Sequence, residues 1–285
     1  MAVTARVLDG KALAERIIED IRVRVAERVS AGKPRPALAT VLIGENPASG
    51  IYVRSKQKNA KQAGIETFDH RLSNSISTDE LLALVEQLNR DDAVSGVLIQ
   101  QPAPPQIDMT RVILELDPAK DVDGFHPINA GMVALGWPGA VEPCTPAGIM
   151  ELLEDAGIEI SGSNAVVVGR SNLVSKPAAL LLLRRNATVT LCHTRTRDLA
   201  DHTRAADILV AAAGKVDLIT KEMVKRGAAV IDVSTNWVDG KQVGDLGDGV
   251  DEVAGWLTPN PGGVGPMTRA MLIKNTFLAE ARRRP

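Results

Sequence analysis

Cysteine is scarce. Only Cys144 and Cys192 carry thiols, too few for a disulfide framework, and neither stands in a CxxC or Cys/His spacing that would hold zinc. The expectation is a reducing compartment and no metal. An excess of one charge is also lacking: the formal balance is -2, so no net basic face draws the chain to nucleic acid or to an anionic membrane. No apolar run approaches the roughly 18 residues of a membrane span, and MAVTARVLDGKALAERI has no apolar stretch of the kind that opens a secretory signal. The cytoplasm is therefore the expected location. No repeat of fixed period and no low-complexity linker interrupts the chain, and its one tyrosine is Tyr52.

What is present is ordinary for a folded protein: 45% hydrophobic and 24% charged residues in a chain of 285. At about 100 to 200 residues per domain, that length suggests two domains. Asp9 reads as an N-cap for a helix in which Leu13, Ile17, Ile21, Val25 and Val29 recur every four residues, ending near Gly32 and Pro34. Apolar runs of strand length follow at Ala37 to Ile43 and Ser95 to Gln100, with a short strand near Thr67 and a helix opened by Ser77 and Glu80 in capping-box spacing. A second series begins after Pro143. Thr145 and Pro146 read as N-cap and first-turn proline of a helix stopped by Gly157, and strands at Asn164 to Val168, Thr188 to Cys192, Ile208 to Ala212 and Ala229 to Val233 continue the set. Alternation of this kind predicts an α/β protein of two βα-alternating domains with parallel sheets. Pro266 to Arg284 reads as a last helix.

The stretch GENPASGIYVRSKQKNAKQAGI joins the first apolar strand to a helix through a turn at Gly44 to Ala48. Such turns lie at the carboxyl ends of parallel strands, where open α/β sheets bind ligands. Tyr52 and Lys56 are one turn apart and share a face, with Cβ atoms about 5–6 Å apart. The alternative is a solvated helix on which Arg54, Lys56, Lys58 and Lys61 are surface charge.

NAVVVG runs into GRSNLVSKP and a helix, the strand–turn–helix context of a dinucleotide site, although only Gly169 fits G-x-G-x-x-G. A tight βα turn that binds nothing is the other reading. After the next strand no carboxylate appears until Asp198, whereas Arg170, Thr194 and Arg195 supply the donors and positive charge that a 2′-phosphate needs. That favours NADP over NAD.

Taken together, GENPASGIYVRSKQKNAKQAGI, SGVLIQQPAPP, PAKDVDGFHPINAG, EPCTPAGIMELL, VVVGRSNLVSKPAALLL, ATVTLCHTRT, ADILVAAAGK, AAVIDVS and TPNPGGVGPMTRAML resemble, in order and over nearly the whole chain, the bifunctional methylenetetrahydrofolate dehydrogenase/methenyltetrahydrofolate cyclohydrolase (FolD) family. The resemblance implies a folate-binding catalytic domain over 1–144, to which 267–285 return, a Rossmann-like NADP-binding domain over 145–266, a cleft between them, and a homodimer. It implies that Lys56 is catalytic, that Tyr52 stacks on the folate, that Gln100 bonds the lysine and that Asp123 binds the pterin. Gly169, Arg170, Ser171, Thr194 and Thr235 would line the NADP site beside Arg195. The chain departs from the usual family pattern at Gln101, Ser175, Ser234 and Asn260.

The chemistry agrees with those roles. Hydride loss from 5,10-methylenetetrahydrofolate leaves a cation to which water adds, and the second step needs a group that relays protons, for which Lys56 is the candidate. Asp123 can accept from the pterin amino group and ring N–H; Asp121 makes a DxD with it, and metal binding by that pair ranks below pterin binding, while a capping or turn role before Gly124 is the alternative, for Asp121 ahead of Asp123. Gly262, Gly263 and Pro266 in PGGVGP suggest a wall of the substrate cleft, or a plain turn before the last helix. His126, His193 and His202 have no nucleophile partner in any recognisable motif and receive no catalytic role. Two further readings compete with the two-activity enzyme: a dehydrogenase with little cyclohydrolase activity, and a non-catalytic folate or nucleotide binder.

Overall fold

The computed structural model describes residues 4–45 and 47–284, without the side chains of Pro47, Ala48 and Ile51. Asn46, inside the expected turn at 44–48, lies outside the described residues. In chain order the elements are β1 (Arg6–Val7), α1 (Gly10–Ser30), β2 (Ala37–Ile43), α2 (Pro47–Gln62), β3 (Glu66–Leu72), α3 (Thr78–Arg90), β4 (Gly96–Ile99), α4 (Met109–Glu115), α5 (Pro127–Leu135), α6 (Cys144–Asp155), β5 (Asn164–Val168), α7 (Ser175–Arg184), β6 (Thr188–Cys192), α8 (Leu199–Arg204), β7 (Ile208–Ala211), β8 (Ala229–Asp232), β9 (Asn236–Val238), β10 (Lys241–Val243), β11 (Trp256–Leu257) and α9 (Val264–Arg283).

Two parallel sheets result, one of three strands ordered β3-β2-β4 and one of six ordered β1-β11-β8-β7-β5-β6, with β9 and β10 forming a separate antiparallel hairpin. The sequence marks the inner strands clearly. ALATVLI of β2 is buried throughout because it has neighbours on both sides and apolar side chains on both faces, and ILVA of β7 behaves alike. At the edge, β3 alternates half-buried and exposed positions from Phe68 to Leu72, as a strand with one covered face does. The α3 residues Leu81, Val85 and Leu88 pack on Ala39, Val41 and Val97 to make the core of the small sheet.

The chain divides into two compact units: Glu15–Cys144 with Arg269–Pro285, and Met1–Ala14 with Thr145–Thr268. The amino end departs from the 1–144 grouping. Arg6 and Val7 pair in parallel with Trp256 and Leu257, so β1 belongs to the six-stranded sheet. A two-residue strand has no periodicity to announce it, and the unpaired backbone of β11 supplies the partner.

Local capping matches the expectations at three points. Asp9 Oδ1 accepts from the backbone N–H of Lys11 and Ala12, each at 3.0 Å. Ser77 and Glu80 form a reciprocal capping box, and Gly157 turns the chain with φ +66° after α6. Thr145 does not cap α6, which begins at Cys144; its hydroxyl instead bonds the Thr268 hydroxyl at 2.9 Å. The last helix starts at Val264, two residues before Pro266, because proline is tolerated in a first turn where its missing N–H has no partner to lose.

In the first unit, α9 is tied down at its far end. Glu280, 1% exposed, accepts from Ser95 Oγ at 2.8 Å and from Arg28 Nη2 at 3.4 Å, while Ser95 Oγ accepts from Ala37 N at 2.8 Å. The network sits at the amino ends of β2 and β4, opposite the ends that carry ligand chemistry.

Candidate active site and cofactor cradle

Three segments converge at the carboxyl edge of the small sheet. β2, its central strand, feeds α2, whose third turn carries Lys56 with 8% of its surface exposed. β4 ends at Ile99, and Gln100, held to Val41 O by its backbone N–H at 2.9 Å, follows at once. Lys56 Nζ donates to Gln100 Oε1 at 3.2 Å, and Gln100 Nε2 donates to the Gln101 carbonyl at 2.5 Å, which turns the amide oxygen toward the lysine. Tyr52, one turn earlier on α2, is 40% exposed, so its ring has an open surface.

The third segment is 120–124. Asp121 bridges Val97 in parallel, and Val97 N bonds Lys120 O at 2.8 Å, so two residues further on Asp123 comes level with the end of β4. Gly96 allows the approach: a Cβ there would stand 2.2 Å from Val122 Cγ1. Asp121 is spent on structure. Its carboxylate accepts from the N–H of Gly124 (3.0 Å) and His126 (2.8 Å) and from Asn129 Nδ2 (2.8 Å), so Asp121 fastens the segment, while the Asp123 carboxyl meets the Cys144 thiol. Lys120 helps from below, donating to the carbonyls of Leu88, Asn89 and Asp91 at 2.7, 2.8 and 2.7 Å and closing the end of α3. His126 caps α5, accepting from Ile128 N at 3.1 Å. Among the described residues, no group of three His, Cys, Asp or Glu side chains could hold a metal ion.

Burial pushes the Asp123 carboxyl above its ordinary value; the Lys56 ammonium pulls the other way, and the Asp121 charge adds to the rise. The buried Cys144 thiol is pushed well above its usual range, first by burial and then by the Asp123 charge. Its Sγ donates to Val122 O at 3.3 Å, a carbonyl that Asn275 Nδ2 also reaches at 2.9 Å.

A carboxyl offers both of its oxygens as acceptors, as a pair of neighbouring N–H donors requires, only when ionised. Affinity for folic acid is therefore expected to fall as pH drops through the raised Asp123 value, above the 3.8 of an ordinary aspartate. In the folded chain the carboxyl binds its proton more tightly than in the unfolded one. The stability that this protonation contributes is thus present at low pH and lost as pH rises through the same window. Fluorescence titration with folic acid across pH checks the first point; an unchanged profile in Asp123→Asn would show that another group is responsible.

The second unit carries the cofactor candidates. Val168 pairs with Cys192, and Gly169 N bonds Cys192 O at 2.8 Å, which sets the turn after β5 beside the turn after β6. Gly169 has φ +140°, and a Cβ there would lie 2.3 Å from Ala212 O and 2.5 Å from Ser175 Oγ. Only glycine fits, and the backbone is left bare for a phosphate to approach at the start of α7. Ser171 Oγ accepts from the N–H of Val174 (3.2 Å) and Ser175 (3.1 Å), shaping that start. Arg170, Thr194 and Arg195 are all exposed around this turn, and Thr235 is exposed after β8, two strands from β5. This cradle fits a phosphorylated dinucleotide. Gly262, with φ +118°, precedes α9; Gly263, whose N bonds Pro259 O at 2.8 Å, and Pro266 belong with it to the unit of the six-stranded sheet, and Lys56, Gln100 and Asp123 to the other.

Three participants escaped the sequence reading. Cys144 packs beside Asp123, Asp245 lies at the centre of the loops after β7 and β8, and Arg269 on α9 is half-buried. Burial pushes the Arg269 guanidinium below its usual range, and Tyr52 opposes this. Cys144 and Arg269 lie in stretches that carry the resemblance and Asp245 does not, but no pattern in the sequence gives any of them a partner, so only proximity in the fold reveals it.

Comparison with known proteins fits the same division of labour. Residues 8–123 match the family model of the tetrahydrofolate dehydrogenase/cyclohydrolase catalytic domain, and residues 143–284 that of its NAD(P)-binding domain. The chain is 51% identical over 280 residues to a bifunctional protein FolD of Streptococcus equi subsp. equi, covering 98% of each. It is 44% identical to the Campylobacter jejuni bifunctional FolD methylenetetrahydrofolate dehydrogenase/cyclohydrolase structure, with a TM-score of 0.96 over 98% of this chain and 99% of that one. A Trypanosoma brucei methylenetetrahydrofolate dehydrogenase-cyclohydrolase, solved with NADP and an inhibitor, is 38% identical with a TM-score of 0.93 over 98% of each chain. Two parallel sheets, a buried lysine–glutamine pair on one and a bare glycine turn on the other thus belong to one lineage: the chain is a member of the bifunctional tetrahydrofolate dehydrogenase/cyclohydrolase family of one-carbon folate metabolism.

Proposed function

We propose that the chain oxidises 5,10-methylenetetrahydrofolate with NADP and hydrolyses the resulting methenyl cation to 10-formyltetrahydrofolate, with Lys56 moving the protons. The observation that carries this reading is the Lys56–Gln100 hydrogen bond of 3.2 Å beside Asp123 at the carboxyl edge of the small sheet. A protein that only binds folate or nucleotide has no need of such a pair. A dehydrogenase alone has none either, since NADP itself accepts the hydride and the residues have only to hold the donor carbon in place.

Asp123 accepts from the pterin amino group and ring N–H, and the open Tyr52 ring stacks on the aromatic part of the folate, setting the one-carbon bridge near Lys56. Water adds to the cationic carbon and gives up a proton, which the lysine takes once it has itself released one. The positive charge of the substrate favours that release from a neighbouring ammonium. The tetrahedral adduct then breaks its bond to N5, which takes that proton from the lysine, and as the formyl C=O forms the hydroxyl gives up its own proton, restoring the ammonium. Gln100 holds the lysine nitrogen toward the bridge through both steps.

Gly169 and Ser171 receive the pyrophosphate, Thr235 lines the same site, and Arg170, Thr194 and Arg195 receive the 2′-phosphate. The test is a spectrophotometric assay with methylenetetrahydrofolate and either NADP or NAD. Arg170→Ala is expected to raise KM for NADP about tenfold, the worth of one charge-assisted contact, and to change NAD far less; an equal loss for both would refute the 2′-phosphate assignment. A homodimer in the cytoplasm is the setting that the family resemblance implies, and among the described residues no helix is long and apolar enough to cross a membrane.

A further inference from the structure

Asp245 is fully buried, and its carboxylate receives five hydrogen bonds. Oδ2 accepts from Ala213 N at 2.7 Å, Gly214 N at 3.1 Å and Ser234 Oγ at 2.7 Å; Oδ1 accepts from Lys215 N at 2.8 Å and Asn236 Nδ2 at 3.2 Å. Three successive backbone N–H groups turned to one side form an anion-binding nest. Here the anion is a side chain of the protein itself, and the nest lies in the loop after β7. The same carboxylate therefore governs the loop after β7 and the loop after β8.

Two positions at which the chain departs from the family pattern complete the arrangement. The Ser234 hydroxyl donates to Asp245 and accepts from Gly214 N at 3.0 Å, joining the two loops directly. Asn260 Nδ2 donates to Ser234 O at 2.7 Å, and Asn260 Oδ1 accepts from Gln242 Nε2 at 2.9 Å, which adds the β9–β10 hairpin and the loop after β11. Ala212 O, at the start of the nest loop, is the atom that a Cβ on Gly169 would strike at 2.3 Å. The loop that Asp245 holds is thus the wall against which the glycine turn is built. Thr235 lies between two of the residues that Asp245 bonds, Ser234 and Asn236.

We infer that Asp245 is a positioning residue for the nucleotide site, fixing the loops after β7 and β8 against the Gly169 turn, with Ser234 as its link between them. The inference rests on the NADP reading above. It assigns Asp245 no contact with folate and no part in proton transfer.

Asp245→Asn keeps the volume but turns an NH2 group toward N–H donors, so the loops lose acceptors and shift. A misplacement of about 1 Å costs up to about a hundredfold; the expected result is a tenfold or greater rise in KM for NADP with a smaller change in kcat. Hydrolysis of methenyltetrahydrofolate, assayed without nucleotide, should stay within twofold of the parent, and the thermal shift induced by NADP should shrink. Parallel loss of both activities would reduce Asp245 to a general structural role and overturn the inference, as would an unchanged KM for NADP. If Asp245→Asn does not fold, Ser234→Ala decides, with a two- to fivefold rise in KM for NADP expected and no change refuting the link. Failure of the unsubstituted protein to use NADP would instead count against the proposed function.

Discussion

Replacing Lys56 by methionine is expected to lower cyclohydrolase turnover by at least about a hundredfold, the usual contribution of a positioned acid–base group. Methionine keeps most of the volume of a side chain that is 8% exposed, so the loss would come from the missing nitrogen and not from a cavity. NADP affinity should change little, because Lys56 and the Gly169 turn belong to different units. The measurement is hydrolysis of methenyltetrahydrofolate followed by absorbance, alongside an NADP titration. Hydrolysis at the parent rate would remove Lys56 from the mechanism. Gln100→Ala should fall between the two, since it leaves the ammonium in place but releases the contact of 3.2 Å that aims it.

The largest stability effect should come from Glu280. Glu280→Ala would leave the Arg28 guanidinium, itself 8% exposed, buried without its carboxylate and would strip an acceptor from Ser95. Breaking one partner out of a buried pair typically destabilises by about 3–5 kcal/mol, whereas the intact pair is worth far less than that figure suggests. Arg28 would retain its bonds to the carbonyls of Pro34 (2.8 Å) and Arg284 (2.5 Å), which places the expectation toward the lower end of the range. Urea unfolding followed by circular dichroism checks it. A loss under about 1 kcal/mol would mean that water reaches the site and solvates the arginine. Catalysis below the melting range should be unchanged, because the network lies at the amino ends of β2 and β4, away from Lys56.

Some of this was legible in advance for definite reasons. ALATVLI and ILVA read as inner strands because a strand covered on both faces tolerates apolar side chains at every position. Asp9, Ser77 and Gly157 read correctly because a cap or stop is decided within one turn of its own residue. Thr145 failed the same reasoning: a hydroxyl from α9 was available to it, and no local rule anticipates a partner so distant in the chain. The DxD illustrates both sides. The sequence gives the turn role to Asp121 ahead of Asp123 but not its partners; the parallel bridge to Val97 leaves Asp121 facing the N–H groups of Gly124 and His126 and carries Asp123 to the strand end.

From its sequence alone this protein is determined to be an alternating α/β chain with a lysine one turn after its only tyrosine and a bare glycine at a strand-to-helix turn. Those are properties of short stretches, set by periodicity, turn chemistry and backbone sterics. Which sheet takes the first strand, which groups fasten Asp121, and which carboxylate gathers the loops after β7 and β8 were decided only in the tertiary structure. Each depends on a hydrogen-bonding group whose partner is remote in the chain, as Arg28 is from Glu280, and burial leaves such groups one solution that no local pattern encodes.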